Sequence, residues 1–495
     1  MPEAAARGLK YLTFAGLAAA LAAHASLHIA DLDLWHQLAL AREIFATGRM
    51  PVADPFAYTP THRMIHHEWG AGMVAYLLSF AGPAAILLLH YGLMAGVLAV
   101  CLRAAARTAK GLENWGVLAL PAVLLLSLGF LPVRAHAWSY LFTAWLLSCL
   151  ARDEAGSRRW IAPWLLAFPL WVNLHAGFAA GMGLLAAFWL ERLLRREPHA
   201  HLLGVGAAMA AAVSINPWGV SYYGFLWHAL TMPRPRIAEW GPAWTAPQPY
   251  PAALAVCVLL LLYAAASAGR RAPRGILLVA AALLAALLHR KMLPIFAVAW
   301  LCYVPGWLRA TRLGEMLAGA AAAWRPLAMA LWGLLLLASV KTAVADRFWE
   351  LRVPANPIQP GASHPVYPAG AAEYLSRHRF AGNVLTPFNY GAYVSWKLYP
   401  AVRVSLDSRY EAVYPAPVAE RLLDLEDARP GWQATLSAYP TDLVLMPLDA
   451  PLARAITTTA WRRVYRDAHF ALWARPGLEM PAETREGRIP EPRFP

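Results

Sequence analysis

Long apolar runs alternate with short polar gaps as far as about Val344, and the pattern then changes. The runs lie at 11–30, 83–102, 115–131, 138–151, 160–174, 176–191, 201–215, 251–267, 275–288, 292–308 and 324–344. A membrane-crossing helix needs about 20 apolar residues, within a range of about 17–25. These eleven runs predict an α-helical polytopic membrane protein; the shorter ones must borrow interfacial Trp and Tyr or extend into their flanks. A further apolar stretch at 69–81 is set off by Gly82-Pro83 and reads as an in-plane or re-entrant helix. From Asp346 the pattern is mixed. Strand patterns occur at Asn383–Thr386, Arg403–Leu406, Leu443–Met446, Arg462–Tyr465 and Phe470–Ala474. Helical patterns cover Gly370–Arg379, Tyr390–Leu398, Pro417–Leu425 and Leu452–Thr458. The expected organisation is a transmembrane domain over 1–345, with a first outer loop at about 31–82, a soluble α/β domain over 346–478 and a polar tail at 479–495.

Composition supports this division. Hydrophobic residues are 59% of the chain and charged residues 15%, against about 25% charged in a typical soluble domain. An ordinary cytosolic protein and a disordered chain are excluded. Cys101, Cys149, Cys257 and Cys302 all fall in apolar runs without CxxC spacing, so they read as small core residues. The net charge of +14 has two explanations, nucleic acid or topology. With the N-terminus inside, the inner loops hold 17 bases and 7 acids, and the outer loops 8 bases and 6 acids. That asymmetry follows the positive-inside rule. Topology therefore accounts for the charge, no nucleic-acid partner is needed, and the C-terminal domain lies outside. Arg7, Lys10 and the following apolar run to Ala23-His24-Ala25 also fit a cleavable signal peptide, which would leave the later topology unchanged.

The outer face collects the polar chemistry. Asp31 and Asp33 stand at the end of the first span, where carboxylates are costly unless solvated or used. Either can serve as a general base or hold a divalent cation such as Mg or Mn. Two residues apart, they chelate together only on an extended segment; on a helix they diverge, and an Asp there can simply cap the helix. His36, His67 and Glu68 are candidates for substrate or phosphate binding, and His66 with His36 extends the group as a weaker metal set. Asp54, before Pro55, is a binding candidate or a turn former. Arg134, His136, His175, Arg234, Arg236, Arg290 and Lys291 run against the inside bias; a group of bases opposite a few acids suits a phosphate, while any one of them can be snorkelling.

Several motifs resemble a known superfamily. Asp31–His36, Asp54–Thr59, His67–Trp69, Trp171–His175 and Asn216–Gly219 are similar to the pattern D-x-D-L-W-x-H, D-P-F-S-Y-T, H-E-W, W-x-N-x-H and N-P-x-G. That pattern marks an uncharacterised bacterial group of GT-C-like membrane proteins. His36 sits one place early and Ala57 replaces Ser. Tyr390–Tyr393 and Asp407–Arg409 also resemble the group. The GT-C superfamily of integral-membrane glycosyltransferases includes protein O-mannosyltransferases, oligosaccharyltransferases and the aminoarabinose transferases of lipid A. The resemblance implies a bacterial inner-membrane enzyme that takes a sugar from a polyprenyl-phosphate donor to an acceptor on the outer side, with inversion. It implies Asp33 as base, Asp31 as alternative base or metal ligand, and Arg134, Arg234 and Arg290 on the donor phosphate. The sugar, the acceptor and any cation are left open. A non-catalytic assembly protein and a lipid or solute transporter are the competing readings; no inverted repeat supports the transporter.

Overall fold

The computed structural model describes residues 2–63, 65–109, 115–234, 237–269, 272–358 and 364–495. Arg236, and the inner-loop charges Lys110, Glu113, Arg270 and Arg271, lie outside the described residues. The chain forms two compact units: Met1–His28 with Leu87–Val220 and Pro233–Glu350, and Ile29–Ile86 with Ser221–Met232 and Leu351–Pro495.

The first unit is a membrane helix assembly. Among the described residues, four helices are long and apolar enough to cross a bilayer: Pro83–Thr108, Tyr250–Ser267, Arg290–Arg309 and Ala323–Ala345. Each coincides with one of the expected runs. Gly116–Phe130, Ile161–Leu174, Ala200–Ala212 and Ile276–Leu288 are apolar but shorter. A 14-residue helix such as Ile161–Leu174 rises only about 21 Å, less than the roughly 30 Å hydrocarbon core. The expected runs near 11–30, 138–151 and 176–191 fold into the helices Pro2–His24, His136–Glu154 and Phe178–Leu194.

Leu293–Arg309 is the centre of this unit. Every side chain from Leu293 to Pro305 is buried, and the helix packs against Leu120–Ser127, His136–Glu154, Tyr250–Ser267 and Ile276–Leu288. A helix apolar all round belongs in such a place. Arg312–Ala345 is the opposite case. Leu327, Leu331, Leu334, Leu337 and Val340 are exposed on it, a face suited to acyl chains. All four cysteines are free and buried.

The second unit is built on a six-stranded mixed sheet. Its strands are β1 Gly382–Leu385, β2 Val402–Val404, β3 Leu443–Pro447, β4 Arg462–Arg466, β5 Phe470–Ala474 and β6 Glu483–Thr484, in the order β2-β1-β3-β5-β4-β6. The β1/β2, β1/β3 and β4/β6 pairs are parallel, and β3/β5 and β4/β5 antiparallel. Val384, Val404, Leu443, Leu445, Leu472 and Tyr374 form its core. β6 comes from the polar C-terminal stretch, whose Ile489 and Phe494 are buried.

The first outer loop completes this sheet. Tyr58 N donates to Val404 O at 3.0 Å and Val404 N to Phe56 O at 2.9 Å, so the Asp54–Thr59 motif pairs with β2. Thr59 Oγ1 donates to Ser405 O at 2.6 Å. Beneath the junction lies an ionic triad. The Arg409 guanidinium bonds Asp407 through Nε and Nη2, and bonds Asp54 through Nη1 and Nη2. All three side chains have 0–1% exposure. Asp54 Oδ2 also accepts from Ala57 N at 2.7 Å, fixing the turn. Burial opposes the Arg409 charge, but Asp407 and Asp54 outweigh it and hold its pKa above the ordinary value. Asp54 thus spends its carboxylate on this clamp.

Removing one partner of a buried, hydrogen-bonded ion pair typically costs about 3–5 kcal/mol. Arg409→Ala and Asp54→Ala should therefore lower the melting midpoint of the purified protein sharply, with Arg409→Lys recovering little because an ammonium cannot reproduce the planar fork. Melting curves unchanged from wild type in both alanine variants would show that the triad does not hold the loop.

Candidate functional site

In the second unit, helix Leu32–Thr47 starts at the two acidic candidates. Asp31 is the N-cap, with an extended backbone (φ −75°, ψ 154°), and its Oδ1 accepts from Asp33 N at 3.0 Å. Asp33 is already in the first helical turn, the end where the helix dipole favours negative charge. The pair straddles a helix start rather than sharing an extended run, so the geometry for joint chelation is not the one observed. Asp33 keeps 22% side-chain exposure, and its Oδ1 lies 3.8 Å from His36 Nε2, one turn on.

A polar layer surrounds this start. Gln37 Nε2 donates to Glu68 Oε2, and Glu68 Oε1 lies 3.5 Å from His67 Nε2. His67 stacks on Phe225, with centroids 5.5 Å apart and planes 25° apart. Phe225 stacks in turn on Tyr222. His36 and His66 face each other with centroids 6.3 Å apart. Both are buried, and His36 Nδ1 and His66 Nε2 have no hydrogen-bond partner among the described residues. Burial lowers the pKa of His36 to about 4; Glu68 opposes the shift and Arg409 adds to it. His66 is pushed well below its ordinary value, chiefly by burial and then by Arg409.

In the first unit the histidine candidates meet. His136 opens helix His136–Glu154 and His175 follows helix Ile161–Leu174; their rings lie 4.3 Å apart. Ser139 links them to the tryptophan of the Trp171–His175 motif. Trp171 Nε1 donates to Ser139 Oγ at 2.8 Å, and Ser139 Oγ lies 2.7 Å from His175 Nδ1. Gly177 N donates to the same Nδ1 at 2.9 Å. A nitrogen that accepts a backbone N–H carries no proton, so neutral His175 is the Nε2–H tautomer and presents a donor on that side. A Cβ at Gly177 would come within 2.3 Å of Ser139 Oγ, so this turn requires glycine.

The basic candidates of this unit gather at Trp240. The Arg234 guanidinium lies 4.2 Å, and Lys291 Nζ 3.4 Å, from its ring centroid. His289 Nδ1 lies 2.8 Å from Trp240 O, a contact that requires the proton on Nδ1. Arg134 Nη1 bonds the neighbouring Glu239 Oε2 at 3.1 Å. Arg290 instead ties down the backbone, through Nη1 to Thr245 O and its own N–H to Gly241 O. Arg134, Arg234 and Lys291 thus converge on one Glu-Trp pair, an arrangement able to receive an anion. Ser139, Gln37 and Phe225 were not legible as site residues; the only sequence signal was the four-residue spacing of Trp171 and His175, which brings both to Ser139.

In an unfolded chain His36 and His66 titrate near pH 6.5; in the folded unit His36 stays neutral down to about pH 4, and His66 is shifted in the same direction. Between those values the unfolded state binds more protons, so stability should fall as pH drops through that window and level off above about pH 6.5. For His36 alone the loss is on the order of 3 kcal/mol. Melting curves of the wild type and of His36→Asn across the window check this, with the variant expected to show the flatter pH dependence. Equal slopes would count against burial as the cause.

No model of a known protein family matches the chain, and no curated protein matches it. Among solved structures, the fold is similar to that of ArnT from Cupriavidus metallidurans bound to undecaprenyl phosphate. The TM-score is 0.51 at 14% identity, over 94% of this chain and 98% of that one. The likeness is one of fold alone.

Proposed function

We propose that this membrane protein is a glycosyltransferase that moves a sugar from a polyprenyl-phosphate donor to an acceptor hydroxyl outside the membrane. The observation that supports it most is the gathering of Arg134, Arg234 and Lys291 at Glu239-Trp240, in a fold similar to one solved with undecaprenyl phosphate bound. The three bases hold the donor phosphate and stabilise it as it leaves. Asp33 accepts the acceptor proton, the acceptor oxygen bonds the anomeric carbon, and the bond from that carbon to the phosphate oxygen breaks. Polyprenyl phosphate departs and the configuration inverts. His175, presenting Nε2–H, donates to an oxygen of the donor or acceptor. Asp31 acts by capping the helix that carries Asp33.

Transfer from radiolabelled polyprenyl-phosphate sugars by the protein in liposomes tests the reading. Asp33→Asn should lower kcat by about 10²–10⁴, the usual worth of a general base, with little change in donor KM. Lys291→Ala and Arg134→Ala should chiefly raise donor KM, by about tenfold or more for each lost charged contact. Full transfer by Asp33→Asn would remove the base from the scheme. A wild type that binds the lipid but transfers from no donor would favour the non-catalytic assembly protein.

A further inference from the structure

Helix His136–Glu154 carries the histidine site at its first residue and ends about 27 Å away, among the basic loops expected on the inner side. At that far end the first unit holds a cavity of about 490 Å³, within the roughly 300–1,000 Å³ of small-molecule sites. Part of its wall is apolar and small: Ala104, Ala155, Ala268 and Ala310. Its polar lining includes Arg107, Arg274, Glu154 and Tyr303 beside three hydroxyl side chains.

Of the acids at this end, Glu154 is the one that lines the cavity. Asp153 accepts from Trp160 Nε1 at 3.2 Å and meets His201 Nε2 at 2.9 Å. Glu191 accepts from Arg195 Nε and from the backbone N–H groups of Gly275 and Leu277, all at 2.8–2.9 Å. Glu197 is paired with Arg192 and Arg274, at 2.9 and 3.0 Å. Asp153 Oδ2, Glu197 Oε2 and Glu154 Oε1 are buried without a hydrogen-bond partner among the described residues, and so is the Tyr303 hydroxyl; of these four atoms, those of Glu154 and Tyr303 belong to the cavity wall. Tyr303 is only 5% exposed, and its ring fits because Gly275, at φ +81°, has no Cβ; one there would lie 2.4 Å from Tyr303 Cε1. Buried polar atoms left open in this way cost free energy unless something completes them.

We propose that this cavity binds the headgroup of an aminophospholipid, a phosphate joined to a primary ammonium. The ammonium donates to the open Glu154 Oε1. The phosphate oxygens lie with Arg107 and Arg274 and accept from the Tyr303 hydroxyl, and the alanine wall leads to the acyl chains. Basic pockets between helix ends on the inner side commonly take lipid headgroups. A carboxylate and two guanidiniums lining one cavity fit a zwitterionic headgroup better than a purely anionic one, which brings no ammonium to donate to Glu154.

The test uses the full-length protein reconstituted in membranes of equal parts phosphatidylethanolamine and phosphatidylglycerol. It is then extracted in detergent, and the retained lipid is measured by native mass spectrometry. The wild type should retain phosphatidylethanolamine selectively. Glu154→Gln and Tyr303→Phe should each weaken retention by about tenfold, the size of one lost charge-assisted hydrogen bond. Ala310→Leu, at an exposed position of the cavity wall, should block retention while the lipid-free melting midpoint stays at the wild-type value. Equal retention of the two lipids, or retention unchanged in all three variants, would overturn the proposal.

Discussion

The guanidinium of Arg409, held between Asp54 and Asp407 with almost no exposed surface, is the constraint on which the second unit depends. The two carboxylates are 353 positions apart in the chain, and neither can be buried alone without a large desolvation cost. Arg409 also acts electrostatically on His36 and His66 and helps to keep both neutral. A single side chain therefore ties the loop to β2 and adds to the burial that keeps the two histidines near Asp33 neutral.

The membrane unit is organised differently. Its polar candidates meet over short distances and through aromatic rings. Trp171 and His175 reach one serine, and two cations lie against the ring of Trp240 while a third bonds the adjacent glutamate. Tryptophan suits this role because its ring attracts cations without bringing a second charge into the apolar unit. Positive groups can thus lie close together there.

Much of the fold was legible in the sequence because apolar runs and alternation are local signals. Phe470–Ala474 is the strand that its pattern predicts, and Gly391–Leu398 is helical where the amphipathic spacing places a helix. The site was legible only as residue types at one face. Asp54 looked available because a turn former before proline carries no mark of its partner, and Arg409 lies far downstream. The order of the sheet was hidden for the same reason, since the outer-loop strand segment and β6 are both too short to show a period. His175 was visible as a residue, but the proton that it presents is set by Gly177 and Ser139, which no motif singled out.

The parallel pairing of Phe56–Tyr58 with β2 also has a consequence in time. A chain grows from its N-terminus at about 5–20 residues per second. Asp54 is therefore made roughly 20–70 s before Arg409, whose distance along the chain is 355 residues. For that interval the outer loop has no strand to join and its carboxylate has no counter-charge, although the first membrane helices are already complete. The outer loop must stay soluble and uncommitted while most of the membrane unit assembles. Its dense proline and polar content between Pro51 and Arg63 suits a segment that has to wait without aggregating.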